Sequence, residues 1–350
     1  MAPREFIKRS TAILKMAASA LSGRPIWAFV WITRQCNQCC SHCYVWNNSI
    51  PHMDMATFRQ VIDKLRDLGV LFVSIFGGEP TSHPDLIRMI DYAAASGRRV
   101  YLNTDLTATE TDVVTQTIKA GVDILSFSLD KIEPATWNKR ATSRIDNKLN
   151  ALLALRRQDY SCSLHCNVTW HKMNLKEGRE VVQYLLDKED IEISVRPAVY
   201  PFPAPNTGEM RRKLLLTEED HIAVSELVKW VIDKKRAGYP IVNPYPYLEA
   251  FPDFVRQGGS WDCGANRDIL SIDVDGAVLQ CSYFLKEVPQ PFERIPLRVE
   301  DLSPQRLAEA RVISKLNLAH CNSHCYSPAY YCTDYYRRHP LEVLRHYFRS

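Results

Sequence analysis

The sequence predicts an α/β protein, a partial (β/α)6 barrel of TIM type followed by a small C-terminal α+β unit. Three observations carry this. Short apolar runs alternate with helix-period segments from residue 27 to 196, glycines stand where the intervening helices should stop, and cysteines gather in two groups, one early and one late.

Taken in order, the first element is a basic amphipathic helix over 4–21, with Phe6, Ile7, Ile13, Leu14 and Leu21 available to one face. Packing on its own domain is the simpler reading, and peripheral membrane contact the second. Six strands are then expected at 27–33, 70–76, 99–104, 124–129, 163–169 and 191–196. Between the first two lies a helix over 55–68, where apolar residues recur at three and four. Gly69, Gly97 and Gly121 supply left-handed helix ends. Units of this kind in series curl into an open barrel whose site lies at the carboxyl ends of the strands. Beyond Arg196, Pro197, Pro201, Pro203 and Pro205, then Pro240, Pro244, Pro246 and Pro252, predict ordered but irregular connectors around a helix over 218–237. Asp275 and Gly276 read as the turn of a hairpin between strands 269–274 and 277–280. The expected organisation is an N-terminal helix over 1–24, a core over 25–200, a connector over 201–260 and a cysteine-rich unit over 261–350.

The composition excludes more than it assigns. The chain has 350 residues, 44 basic against 40 acidic side chains and a net charge of +4, too even to imply nucleic acid. No apolar stretch reaches the roughly 18 residues of a membrane span, and no signal peptide is evident, so the cytoplasm is expected. Thiols stay reduced there, and eleven cysteines are better read as metal ligands than as disulfides.

The early group is Cys36-Asn-Gln-Cys-Cys40-Ser-His-Cys43-Tyr44, directly after the first strand. Its C-x3-C-x2-C spacing delivers three thiolates to three corners of a cubane and leaves one iron open to a small molecule. Zinc knuckles would need a longer separation between Cys36-x2-Cys39 and Cys40-x2-Cys43, so Cys39 is a spare thiol. The second strand ends in Phe76-Gly77-Gly78-Glu79-Pro80, where two glycines let a ligand approach the backbone and a carboxylate complements a cation.

With these motifs the chain resembles the radical S-adenosylmethionine (SAM) superfamily, over roughly residues 27–200. The resemblance implies a [4Fe-4S] cluster on Cys36, Cys40 and Cys43, with SAM held by Gly77, Gly78 and Glu79. Softer matches imply further SAM contacts. Thr104 lies in a turn that carries Asp105 where the family pattern differs, Ser128 and Asp130 lie in an S-x-D segment followed by Lys131 in place of a common glycine, and Asn174 and Arg196 follow later strands. The implied reaction is reductive cleavage of SAM to a 5′-deoxyadenosyl radical that abstracts a substrate hydrogen, fed by an external donor such as flavodoxin or ferredoxin.

The late group, Cys263, Cys281, Cys321, Cys325 and Cys332, resembles the SPASM or twitch extension and implies one auxiliary [4Fe-4S] cluster. A structural zinc, with His324 as a further ligand, is the alternative. Cys162 and Cys166 share a strand face and read as buried small hydrophobes. A small molecule or peptide is the expected substrate, and no side chain is assigned a catalytic role. The competing class is a non-catalytic iron–sulfur or zinc protein used for redox sensing or scaffolding.

Overall fold

The structure is a computed structural model that describes residues 23–38, 43, 45–106, 110–135, 140–156, 162–198, 213–259, 261–284, 294–318, 321, 325–339 and 342. The expected helix over 4–21, Cys39, Cys40, Tyr44, Pro201, Pro203, Pro205 and His324 lie outside the described residues.

Six parallel strands form the barrel wall: β1 (Trp27–Trp31), β2 (Phe72–Phe76), β3 (Arg99–Thr104), β4 (Val122–Ser128), β5 (Ser163–Trp170) and β6 (Ile191–Pro197). They pair in chain order, and the sheet stays open. The helices between them are α1 (Met55–Asp67), α2 (Leu86–Ala95), α3 (Thr111–Lys119), α4 (Thr142–Arg156) and α5 (Gly178–Leu186). Strand alternation sorts the side chains. Ala28, Val30, Val73, Ile75 and Leu102 point outward into the main core against the helices, while their neighbours Phe29, Ser74 and Tyr101 face the lumen.

Local chemistry sets the helix limits. Asp54 caps α1 by accepting from the Thr57 N–H at 2.7 Å, and Phe58, Val61, Ile62 and Leu65 bury one face at spacings of three and four. Gly69, Gly97 and Gly121 follow α1, α2 and α3 with φ of 80°, 79° and 115°, a region that side chains with a Cβ resist.

Two expectations need correction. The hairpin of β7 (Ile269–Ile272) and β8 (Val278–Leu279) forms around Asp275 and Gly276 as anticipated, but β7 adds in parallel to β1, with Trp27 opposite Ile269. It therefore extends the barrel sheet, because β1 would otherwise be an unpaired edge. The second proline group does not make a wholly irregular connector. After α6 (His221–Arg236), residues 245–257 form α7 (Tyr245–Gln257), with Pro246 in its first turn, where no N–H is needed, and Pro252 in its interior. Burial of Tyr247, Leu248, Phe251 and Val255 on one face outweighs the cost of Pro252. The chain continues through α8 (Pro304–Leu318) and α9 (Pro328–Arg338), the latter carrying Cys332. Among the described residues no helix is long and apolar enough to cross a membrane.

One buried ion pair joins the two ends of the chain. Arg34, just past β1, donates from Nη2 at 2.7 Å and from Nε at 3.2 Å to Asp273 Oδ1 at the end of β7, and the side chains are 1% and 2% exposed. The same oxygen accepts from the Val274 N–H at 2.7 Å. Removing one member of a buried pair leaves an uncompensated charge. Asp273→Ala should therefore cost about 3–5 kcal/mol in urea unfolding of the metal-free protein. Asp253→Ala, which breaks the exposed pair with Arg256, should cost no more than about 1 kcal/mol; equal costs would remove Arg34 from the anchoring role.

Candidate active site

At the carboxyl ends of the strands the cysteine loop lies directly on the end of β2. The Gly78 N–H donates to the Thr33 carbonyl at 3.1 Å and the Glu79 N–H to the Gln35 carbonyl at 2.8 Å. A Cβ on Gly78 would stand 2.4 Å from the Gln35 oxygen and 2.6 Å from the Arg34 oxygen, and one on Gly77 would meet the Thr33 methyl at 2.6 Å. The sequence reading attributed these glycines to ligand access. The structure gives them a second reason, since any side chain there would push the cysteine loop off the sheet.

Polar side chains hold the loop's other end. Asn48 accepts from the Cys36 N–H at 2.9 Å, the Asn47 N–H donates to the Arg34 carbonyl at 2.9 Å, and His52 Nδ1 pairs with Thr33 Oγ1 at 2.8 Å. These residues were not singled out from the sequence, although adjacent asparagines are a turn signal.

The thiols divide by their hydrogen bonds. The N–H two residues on donates to Sγ at Cys36, Cys43 and Cys281, from Gln38, Val45 and Tyr283, each at 3.4 Å. Such donors tune a bound cluster. Cys162, by contrast, points its S–H at the Ser163 carbonyl at 3.6 Å, as a packed thiol does. Cys36 and Cys43 thus carry the donor chemistry a cluster requires.

Glu79 is 1% exposed, and its side chain ties the ends of β2 and β3 together. Its Oε1 accepts from Thr81 N–H at 3.1 Å, Thr81 Oγ1 at 2.7 Å and Thr104 Oγ1 at 2.8 Å, and its Oε2 accepts from the Asp105 N–H at 2.8 Å. Burial, with the Asp105 charge adding, pushes its carboxyl up to about 7. A cation at this shelf would restore the charged form.

Gly77, Gly78, Glu79, Thr104, Ser128, Asp130 and Arg196 line one continuous cavity of about 440 Å³ together with Cys36 and Cys43. Asp130 accepts from the Thr169 N–H at 3.0 Å and faces Arg140 at 3.7 Å, while Arg196 donates to Thr169 Oγ1 at 3.1 Å. Asn174 is placed differently. It is buried behind the wall, donating to the Asp130 and Thr169 carbonyls at 2.9 and 2.8 Å and accepting from the His171 N–H at 2.8 Å. It holds β4 and β5 together and does not line the cavity. Lys131, next to Asp130, is ion-paired with Glu177.

Cys263, Cys281 and Cys321 pack in one apolar cluster and Cys325 is hydrogen-bonded with Cys321, although among the described residues no three ligands are arranged around one metal position. Cys281 and Cys325 are buried, and the charge of Cys321 acts on Cys263, Cys281 and Cys325 alike. Burial pushes Cys263 up to about 12 and Cys281 well above the ordinary thiol range, while a hydrogen bond from Cys325 lowers Cys321. So many buried thiols cannot ionise together without a bound cation. Cys332 stands apart on α9, where burial pushes it up to about 12 and the charge it feels is that of Lys235. It lines the cavity with Tyr283 and Ser327, whereas the other four do not.

Residues 30–185 match the family model described as the radical SAM superfamily. The chain is 29% identical over 151 residues to the AdoMet-dependent heme synthase of Methanosarcina barkeri, covering 42% of this chain and 43% of that protein. It is 23% identical over 181 residues to the PqqA peptide cyclase of Bradyrhizobium diazoefficiens, covering 51% and 48%. Among solved structures, Streptococcus suis SuiB bound to its precursor peptide SuiA superposes with a TM-score of 0.62 at 19% identity, over 91% of this chain and 78% of that one, which shows a shared fold. The chain spans about half the length of the two curated relatives it matches here.

The Glu79 carboxyl yields a signed prediction. Its pKa in the folded protein, about 7, lies above the ordinary 4.5, so the folded state holds this proton more tightly than the unfolded one. Its contribution is therefore favourable at low pH, and stability should fall by up to about 1.4 kcal/mol per pH unit as pH rises through that window. Glu79→Gln should flatten this segment of the curve of unfolding free energy against pH. An unchanged slope in that variant would mean that another group titrates.

Proposed function

We propose that this chain, whose residues 30–185 constitute a radical SAM domain, reductively cleaves SAM and uses the resulting 5′-deoxyadenosyl radical to abstract hydrogen from a substrate in the cavity. The observation that carries this reading is that the cysteine loop and the 77–79 shelf face the same cavity and are built onto one another through backbone contact. A [4Fe-4S] cluster on Cys36, Cys40 and Cys43 would supply the electron to the sulfonium of SAM.

The chain's own groups have separable tasks. The backbone of 77–79, backed by Glu79, receives the methionyl ammonium, and Thr104 fixes Glu79 in place. Ser128, Asp130 and Arg196 face the ribose and carboxylate. Asn174 acts as a strut that positions Asp130, not as a contact. The strand walls exclude water and stray hydrogen donors.

Cys263, Cys281, Cys321 and Cys325 are proposed to hold one auxiliary [4Fe-4S] cluster behind the wall that Tyr283 and Ser327 present to the cavity. On this reading residues 25–200 are the catalytic core, 201–260 a connector, 261–350 the auxiliary unit and 1–24 an N-terminal segment. The relatives named for peptide cyclisation and for a bound precursor peptide support a peptide substrate. The electron donor would be of the flavodoxin or ferredoxin class, in a reducing compartment such as the cytoplasm.

Anaerobic reconstitution tests the assignment. With dithionite and SAM the protein should form 5′-deoxyadenosine, and Cys36→Ala or Cys43→Ala should abolish it; product from either variant would overturn the cluster assignment. Iron should approach about eight per chain, as two four-iron clusters require. Cys281→Ala should bring it to about four and Cys332→Ala should leave it near eight. Loss of iron on replacing Cys332 would return that thiol to the ligand set.

A further inference from the structure

Helix α8, which leads into Cys321, buries Leu307, Ala310, Ser314 and Asn317 against the rest of the protein and turns a second apolar stripe outward. Ala308, Val312 and Leu316 recur at every fourth residue and so share one exposed face. Val312 is 62% exposed and Leu316 69%. Scattered exposed apolar residues need no partner, whereas a continuous stripe marks an interaction surface.

The course of the chain points to what covers it. Arg311, next to Val312, donates from Nη2 to the Gly23 carbonyl at 2.7 Å and from Nε to the Asn266 carbonyl at 3.1 Å. Gly23 is thus pinned to α8, and residues 1–22 lead into it at that point. Its φ of 63° is the left-handed conformation in which helices commonly terminate. The carboxyl end of the chain is tied elsewhere, since Tyr335 on α9 donates to Glu342 Oε1 at 2.9 Å.

We infer that residues 4–21 form a helix whose last two turns pack onto Ala308, Val312 and Leu316, so that the amino-terminal segment docks on α8 of its own chain. At helical spacing Ile13, Leu14, Ala17 and Leu21 fall within one face, while Lys8 and Lys15 fall on the opposite one, towards water. Leu316 stands five residues beyond the Arg311 anchor, a rise of about 7.5 Å, and two turns of the incoming helix span about 11 Å. The segment therefore reaches the whole stripe without an extended linker. Because Gly23 is held at α8, the contact is intramolecular and gains the high effective concentration of a short tether.

Amide hydrogen exchange read by mass spectrometry on the anaerobically reconstituted full chain tests this. Amides of residues 8–21 should exchange at least about tenfold more slowly than an unstructured chain of that sequence. In the double variant Val312→Asp, Leu316→Asp they should return to within about twofold of the unstructured rate, while β1 keeps its protection and so shows that the variant is folded. Leu14→Asp with Leu21→Asp should give the same loss from the other side of the contact. Unstructured exchange of 8–21 in the unaltered protein overturns the docking, as does protection that survives both changes on α8. Protection that grows with protein concentration, or that arises only with vesicles of anionic lipid, overturns it in favour of a second copy or a membrane surface.

Discussion

The arrangement depends on one close backbone contact, the cysteine loop resting on the paired glycines at the end of β2. A Cβ on Gly78 would stand 2.4 Å from the Gln35 oxygen, so loop and strand can approach this closely only because Gly77 and Gly78 lack side chains. The two hydrogen bonds across this contact fix Thr33 and Gln35, the residues that lead into Cys36. The approach to Cys36 and the 77–79 shelf are thereby placed by the same few atoms. A local sequence constraint thus sets the geometry of the site.

The far end of the chain reinforces it. Arg34 lies between Thr33 and Gln35, and its guanidinium reaches Asp273 across 239 residues of sequence, at the end of the strand that leads towards Cys281. Because β7 pairs with β1 within the same sheet, the two cysteine groups share one scaffold. This gives a physical reason for the late cysteines to sit on an extension of the barrel sheet.

Much of this was legible in the sequence. The six barrel strands fall where the apolar runs place them, the helix ends follow Gly69, Gly97 and Gly121, and the motifs at 36–43 and 77–79 come together as their order along the strands implies. What was not legible depends on long-range pairing or on direction. The Arg34 ion pair joins residues too far apart for any local pattern, and the parallel addition of β7 is set by an open edge. Asn174 carries a residue type suited to ligand contact, yet its amide is consumed by two carbonyls behind the wall. Cys332 fits a ligand spacing, but its position on α9 turns it towards the cavity and away from the other four thiols. The inward placement of His165 and Glu192 follows from strand alternation, a signal carried by position and not by any motif.

The central claim is that one iron of the N-terminal cluster is left open for SAM. Electron–nuclear double resonance on the reduced, reconstituted protein with SAM labelled at its amino nitrogen and carboxylate oxygens tests it most directly. The account predicts magnetic coupling from both labels to the cluster, as chelation at a vacant corner requires. A cluster of normal four-iron signature that shows coupling to neither label would contradict it.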